Sequence, residues 1–136
     1  MADFIKSYRA EAGLNHVGAY QVSGIPYASG SINATTAVKI TFPSVTRWIY
    51  VVNHDDTNHC KIGFSENGVT GDNYLRLGPQ AGNEGTQHTA RLELKVSEIW
   101  LSGANGVDII AGLTSIPASR TTTASGTSWS GSAGVG

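Results

Sequence analysis

The sequence predicts an all-β fold, an antiparallel β-sandwich or small barrel of about seven or eight short strands with extended N- and C-terminal arms. Two observations carry this prediction. Apolar and polar residues alternate with a period of two in short runs through the middle of the chain, as they do in half-buried strands. Turn-forming residues separate these runs at intervals of about 8–12 residues, and no long helical pattern lies between them.

The chain divides into three parts by composition. We assign residues 1–20 to an N-terminal arm, residues 21–116 to a β-sandwich body and residues 117–136 to a C-terminal arm. The whole length of 136 residues matches one domain. In the N-terminal arm the apolar periodicity is poor, so a short helical turn and an extended segment are both compatible with it.

The first half of the body begins irregularly and then alternates. Residues 17–32 resemble two short strands or an irregular ribbon, broken by Gly24 and Pro26. Residues 38–42 alternate clearly and end at a proline, which cannot donate to a sheet ladder. Residues 48–52 are apolar on both faces, which indicates a central strand or one whose outer face is covered. A polar turn then connects them to the alternating residues 60–64, and we expect these two runs to form a hairpin.

The second half of the body repeats this pattern of short runs. Residues 66–73 and 78–88 have the composition of loops, and the second is long and polar. The predicted strands between and after these loops are residues 74–77, residues 92–96, residues 99–101 after a kink at Ser97, and residues 107–113.

Composition and charge narrow the classes of partner that this protein could bind. The net charge is −1 and no block of like charge occurs, so we expect no nucleic-acid partner. No run approaches the roughly 18 apolar residues of a membrane span, and the N-terminus lacks the apolar region of a secretory signal, so we expect no membrane partner. Charged residues make up 14%, against about 25% in a typical soluble domain. Low charge of this kind favours a β-rich structural protein over a solvated enzyme.

The C-terminal arm consists almost wholly of Ala, Ser, Thr and Gly and cannot form a core by itself. Ordering its 20 residues costs on the order of 20–40 kcal/mol. Burial of Trp129 and Val135 returns only about 1.5–3 kcal/mol each. The arm therefore needs a surface to lie on, and we expect that surface to belong to another copy of the chain or to a partner.

One group of residues has the donor types of a metal site, namely His54, Asp56, His59 and Cys60. Their spacing matches no zinc signature. A polar turn in which Asp and Asn side chains accept from backbone N–H groups is the favoured interpretation. Cys60 is the one cysteine of the chain, so no intrachain disulfide can form, and we interpret it as a small buried apolar residue.

Catalytic patterns are weak. No G-x-S-x-G elbow or phosphate-binding glycine motif occurs. Asp108 lies within an apolar strand, but its alternation with Val107 and Ile109 places it on an outer face. We therefore predict no enzyme, no catalytic residue, no metal and no cofactor.

Three aromatic residues are expected on outer faces. If Ile49 and Leu101 face the core with their alternating neighbours, then Trp48, Tyr50 and Trp100 face outward. Such residues can pack under an arm of the same chain, anchor a subunit interface, or form a platform on which sugars stack. The sequence leaves these three alternatives open.

Three segments resemble small virion proteins of tailed bacteriophages, particularly marine and cyanobacterial phages. They read RWIYVVNHDDTNHCKIGFSENGVTGDNYLRLGPQ, RLELKVSEIWLSG and VDIIAGLTSIP, and they cover roughly residues 46–117. The resemblance is to head decoration (cement) proteins and related head or tail spike modules. It implies a β-rich module that attaches to a capsid lattice, often as a trimer, and stabilises it.

The sequence thus predicts a non-enzymatic decoration protein on the capsid exterior, made in the host cytoplasm. We expect it to bind and stabilise the phage head through oligomer contacts and through its two arms, residues 1–20 and 117–136, which would clamp the capsid or sister subunits. Its expected partners are the major capsid protein and sister copies, as a homotrimer. A receptor- or carbohydrate-binding module of a fibre or spike is the alternative, with Trp or Tyr faces near the 66–73 and 78–88 loops, and a small hydrolase ranks last. The expected protein-interface residues are Phe4, Tyr8, Leu14, Trp48, Tyr50, Trp100, Trp129 and Val135.

Overall fold

The computed structural model describes Leu14, residues 24–81 and residues 87–136. These residues form antiparallel sheets packed against each other, which confirms the all-β prediction. A short helix, α1 (Glu66–Thr70), follows the strand Cys60–Gly63, and a 3-10 helix (Ala118–Thr121) follows the strand Ala104–Pro117. The strands are β1 (Ile25–Ala34), β2 (Val38–Thr41), β3 (Ser44–Asn53), β4 (Cys60–Gly63), β5 (Leu75–Leu77), β6 (Glu98–Ser102), β7 (Ala104–Pro117), β8 (Thr122–Thr123) and β9 (Gly126–Thr127).

The two principal sheets are antiparallel throughout. Sheet I has the strand order β1-β7-β3, and sheet II has the order β2-β6-β4-β5. The two-residue strands β8 and β9 form a separate small hairpin within the C-terminal arm. The long strand β7 is central in sheet I and extends one residue into that arm, to Pro117.

The core lies between the inner faces of the two sheets, where the alternating apolar residues meet. Ile49 and Val51 of β3 are buried, as are Ile99 and Leu101 of β6, so the predicted inward positions are confirmed. The remaining buried members of the core are Ala34, Ile40, Phe42, Cys60, Ile62, Leu77, Val96, Ala104, Val107, Ile109, Ala111 and Leu113.

The expected hairpin between residues 48–52 and 60–64 is wrong. Strand β3 pairs with β7 in sheet I, whereas β4 pairs with β5 and β6 in sheet II. The polar turn between them therefore crosses from one sheet to the other. The side chain of Asn53, which is buried, supports this crossing by donating to the carbonyl oxygens of Asn58 (2.9 Å) and Gly78 (3.0 Å). Alternation determines which face a strand buries but not which strand it pairs with.

The broken ribbon expected over residues 17–32 is also different. From Ile25 onward a single ten-residue strand forms, β1, and residues 17–23 lie outside the described part of the chain. Pro26 fits within β1 because this strand pairs only with β7 among the described strands, and proline is tolerated at sheet edges. A register shift occurs near Ser31, which has a φ of 55°. Its N–H donates to Asp108 Oδ1 at 2.8 Å.

Residues 92–96 were expected to form a strand, but they belong to neither sheet. They instead run along the outer edge of β3, where Ile49 and Leu92 exchange two backbone hydrogen bonds of 2.9 and 2.7 Å. The hydroxyl of Thr46 adds a 2.6 Å bond to the Leu94 carbonyl. This segment covers an edge that would otherwise expose unpaired backbone groups.

Residues 66–70, expected to be loop, form the helix α1. Its N-cap is Ser65, whose hydroxyl accepts from the N–H of Gly68 at 2.9 Å. Serine is a preferred N-cap because it satisfies one of the free N–H groups of the first turn. The helix packs onto sheet II above Gly63, where an added Cβ would lie 3.1 Å from Val69 Cβ.

Candidate functional site

The outer face of sheet I presents an apolar surface. The strand register places Tyr50 beside Ile110, and Ile110 beside Ala28, in one row across the sheet. Trp48 and Val52 lie on the same face because side chains two residues apart share a face of a strand. Ile110 is 44% exposed, and Trp48, Tyr50 and Val52 are half-buried. We call these five residues the apolar face.

A shallow cavity of about 300 Å³ opens on the apolar face, lined in part by Ala28, Tyr50 and Ile110. The one carboxylate that lines this cavity, Asp108, is already engaged. It accepts from the backbone N–H of Ser31, and its other oxygen lies 3.0 Å from Nε2 of His54. The prediction that Asp108 lies on an outer face is confirmed. The bond from Ser31 holds the irregular part of β1 against β7, and the contact with His54 ties the residue after β3 to the same carboxylate, so Asp108 has a structural role.

The outer face of sheet II has the opposite character. Trp100 lies in a row with Lys39 on one side and Gly63 on the other. Its indole N–H donates to Glu98 Oε2 at 3.0 Å, which fixes the orientation of the ring. Lys61 and Arg76 pair in the next row, so this face is largely charged.

A groove of about 260 Å³ lies beside Trp100, and we call it the Trp100 groove. Lys39, Glu98 and Trp100 form its part from sheet II. Helix α1 contributes Glu66 and Asn67, and the C-terminal arm contributes Thr127 and Ser130. Three separate segments of the chain therefore build one polar depression with an aromatic side chain in it.

The C-terminal arm lies on the body of its own chain, a surface other than the one expected from the sequence, and its contact with another copy or a partner stays a prediction. Trp129 packs against the core and donates its indole N–H to the Phe64 carbonyl at 3.1 Å. The Ser65 hydroxyl donates to the carbonyl oxygen of Val135 at 2.7 Å. Nearer the body, the hydroxyls of Ser97 and Thr121 are buried and 2.5 Å apart. The entropy cost of ordering the arm requires a surface to lie on, but it is the same whichever molecule provides that surface.

The predicted interface residues are thus distributed over the molecule rather than gathered at one place. Trp48 and Tyr50 lie on the apolar face, and Trp100 lies on the outer face of sheet II. Trp129 and Val135 hold the C-terminal arm on the body. Contact of any of them with a second chain stays a prediction.

The N-terminal arm contributes one described residue. Leu14 is half-buried, and its carbonyl oxygen accepts from Lys95 Nζ at 2.9 Å. The other two interface residues predicted in this arm, Phe4 and Tyr8, lie outside the described residues.

The turn that carries metal-type donors is a hydrogen-bonded turn, as the favoured interpretation predicted. Oδ1 of Asp55 accepts from the N–H groups of Thr57 and Asn58, each at 2.9 Å. Its Oδ2 accepts from the N–H of Asn105, also at 2.9 Å. These backbone bonds, that of Asn105 foremost, hold the pKa of the Asp55 carboxyl well below its usual range because they stabilise its charged form.

Cys60 lies in the core, apart from the polar side chains of this turn. Burial raises the pKa of its thiol to about 12, so the reactive thiolate is disfavoured at neutral pH. Across residues 24–81 and 87–136, no three His, Cys, Asp or Glu side chains converge in a way that could hold a metal ion.

Sequence reasoning missed the neighbours that give each aromatic its setting. It did not single out Ala28 and Ile110, because only the strand order β1-β7-β3 brings them beside Tyr50. It also missed Lys39, Glu98 and Asn67 beside Trp100. Because Lys39 and Glu98 alternate with buried neighbours, the sequence predicts that both lie on an outer face. It does not predict that they line one groove with Trp100.

Comparison with protein-family models, with curated proteins and with solved structures finds no match to this chain. Within the described residues, neither helical segment has the length and apolar character needed to cross a bilayer.

Proposed function

We propose that this protein is a non-enzymatic structural component of a tailed-phage virion, a decoration or cement protein that binds the capsid exterior. The apolar face of sheet I is the observation that carries the proposal. The resemblance of residues 46–117 to phage decoration proteins supports the identity of the partner as the major capsid protein.

The apolar face has the character of a protein-docking surface. It combines two aromatic residues with branched apolar side chains on a rigid sheet, and aromatic anchors of this kind dominate the energy of protein interfaces. Full burial of one exposed apolar side chain contributes about 1.5–3 kcal/mol. Asp108, which lines the cavity of this face, already accepts from the Ser31 N–H and lies 3.0 Å from His54 Nε2, so docking does not leave its carboxylate without hydrogen-bond partners.

Weak contacts suffice in such a role because many copies act on one particle. Sister copies arranged as a homotrimer would bring three apolar faces to the lattice together. Docking through the apolar face therefore does not require the C-terminal arm to reach a neighbouring subunit.

The test is binding of the purified protein to capsids assembled from the major capsid protein of the same genome, measured by co-sedimentation. Ile110→Lys places a charge in the centre of the apolar face and should reduce binding at least tenfold. Since Ile110 is 44% exposed, the variant should keep the wild-type fold. The matched control is Leu75→Lys in sheet II, where an equally large side chain is 54% exposed and binding should be unchanged.

Two results would overturn the proposal. The wild-type protein could fail to sediment with capsids at any concentration, or Ile110→Lys could bind as well as Leu75→Lys. The mass of the free protein in solution, measured by light scattering, tests the homotrimer separately, and a monomeric mass would remove that part of the proposal.

A further inference from the structure

We propose that the Trp100 groove binds one neutral sugar ring, stacked on the indole of Trp100. This site is separate from the apolar face and does not depend on capsid binding. The proposed ligand of the outer face of sheet II is a terminal or internal pyranose of a glycan.

The setting of Trp100 suits stacking. Its N–H is occupied by Glu98, so the ring offers a ligand its π face rather than a hydrogen-bonding edge. On the Gly63 side of the row, helix α1 packs above the glycine, where an added Cβ would lie 3.1 Å from Val69 Cβ, so the helix forms one wall of the groove beside the indole. Pyranose rings carry a patch of C–H groups on one face, and such groups pack favourably on the electron-rich face of indole.

The rim of the groove supplies partners for hydroxyl groups. The carboxylates of Glu66 and Glu98 accept, the Lys39 ammonium and the Asn67 amide donate, and the hydroxyls of Thr127 and Ser130 do both. A sugar ring presents several hydroxyls, each of which both donates and accepts. Mixed donors and acceptors around an aromatic side chain therefore match a sugar more closely than a purely apolar ligand.

The charge of the lining side chains and the volume of the groove narrow the class of ligand further. The side chains that line the groove include the two carboxylates of Glu66 and Glu98 and the one ammonium group of Lys39, so an anionic ligand such as a phosphate would meet net repulsion. The volume of about 260 Å³ lies just below the range of about 300–1,000 Å³ that holds drug-sized ligands. A single ring fits this size, with the rest of a glycan outside the groove.

The experiment is saturation-transfer NMR with the methyl glycosides of glucose, galactose, mannose and N-acetylglucosamine, followed by a glycan array. At least one methyl glycoside should receive saturation from the protein and bind with a millimolar dissociation constant. Trp100→Ala should weaken that binding at least tenfold. Trp48→Ala removes the same side chain from the outer face of the other sheet and should leave the sugar affinity within twofold.

A second variant keeps the test decisive if Trp100→Ala fails to fold. Ser130→Tyr places a bulky side chain at an exposed position on the rim of the groove and should also block the sugar. The proposal is overturned if no methyl glycoside and no arrayed glycan binds. It is equally overturned if the folded Trp100→Ala and Ser130→Tyr variants bind as the wild type does. Capsid binding by these two variants should be unchanged, which separates this proposal from the proposed function.

Discussion

The two outer faces of the sandwich each carry tryptophan at an alternating position, yet they differ in what surrounds it. Trp48 lies on the apolar face, together with Tyr50 and Ile110. Trp100 stands among charged residues, next to helix α1 and the C-terminal arm. The same residue type with the same periodicity thus occupies one surface suited to a protein and another suited to a small polar ligand.

The difference lies in the neighbours that the topology supplies. Strands β1 and β7 bring Ala28 and Ile110 to the Trp48 side. The arm, turning back at the end of β7, brings Thr127 and Ser130 to the Trp100 side. The kind of ligand that an aromatic residue on an outer face could bind therefore depends on neighbouring segments that are distant in the sequence.

The largest expected effect comes from removing both aromatics of the apolar face. The double variant Trp48→Ala/Tyr50→Ala should weaken capsid binding by about 100-fold or more, since each interface anchor contributes about 2 kcal/mol and 1.4 kcal/mol is tenfold in affinity. Surface plasmon resonance on immobilised capsids measures this. Sugar binding by the same protein should stay at the wild-type level, and loss of both activities would show that the two faces are not independent.

Releasing the arm should affect only the side of sheet II. Trp129→Ala removes a half-buried side chain and its bond to the Phe64 carbonyl, and we expect the free energy of unfolding to fall by about 2 kcal/mol. Urea denaturation measures this loss. Limited proteolysis should then cut within residues 118–136. An unchanged midpoint would mean that the arm contributes nothing to the stability of the body.

Ser65 joins helix α1 to the arm, and its loss should have a smaller effect. Ser65→Ala removes both the N-cap bond to Gly68 and the bond to the Val135 carbonyl, so we expect a loss of about 1 kcal/mol. The matched control is Ser132→Ala at an exposed position of the arm, which should change stability by less than about 0.5 kcal/mol. Equal midpoints in urea for the two variants would contradict the role of Ser65.

The smallest effect concerns the turn near His54 and should show only in acid. The pKa of Asp55 is lowered in the folded chain, so its charge stabilises the fold above its ordinary pKa of about 3.9, and this contribution is lost as the pH falls below that value. Asp55→Asn should therefore lose less of its thermal stability than the wild type between about pH 5 and pH 2. The neighbouring exposed residue provides the control, since Asp56→Asn should keep the wild-type acid profile.

Much of the sandwich could be predicted from the sequence, because burial of alternate residues is a local property. The inward positions of Ile49, Val51, Ile99 and Leu101 follow from period-two alternation alone. The pairing of β3 with β7 rather than β4 could not be predicted in this way, since either partner buries the same face. The Asp55 turn was predictable in kind, because Asp and Asn accept from nearby backbone N–H groups wherever the chain turns.

For the apolar face and the Trp100 groove, the sequence predicted only that individual aromatic residues lie on outer faces. Tyr50 could be placed on an outer face, but its contact with Ile110 depends on the sheet order. The position of the arm was the harder case, because small polar residues can form hydrogen bonds with almost any surface. The large indole of Trp129 needs a matching site on the body and therefore helps to fix the position of the arm. Its hydrogen-bond partner is the backbone carbonyl of Phe64, and the sequence does not distinguish one backbone carbonyl from another.

The most direct test of this account is hydrogen–deuterium exchange on the isolated full-length chain, compared with Trp129→Ala. In the described part of the chain, the C-terminal arm lies on its own body beside sheet II and not on the apolar face of sheet I. We therefore expect protected amides in the arm of the free wild-type protein, and faster exchange in the arm and α1 of the variant, with β1 and β3 unchanged. An arm that exchanges freely in the wild-type chain, and becomes protected only when a partner is added, would contradict this account.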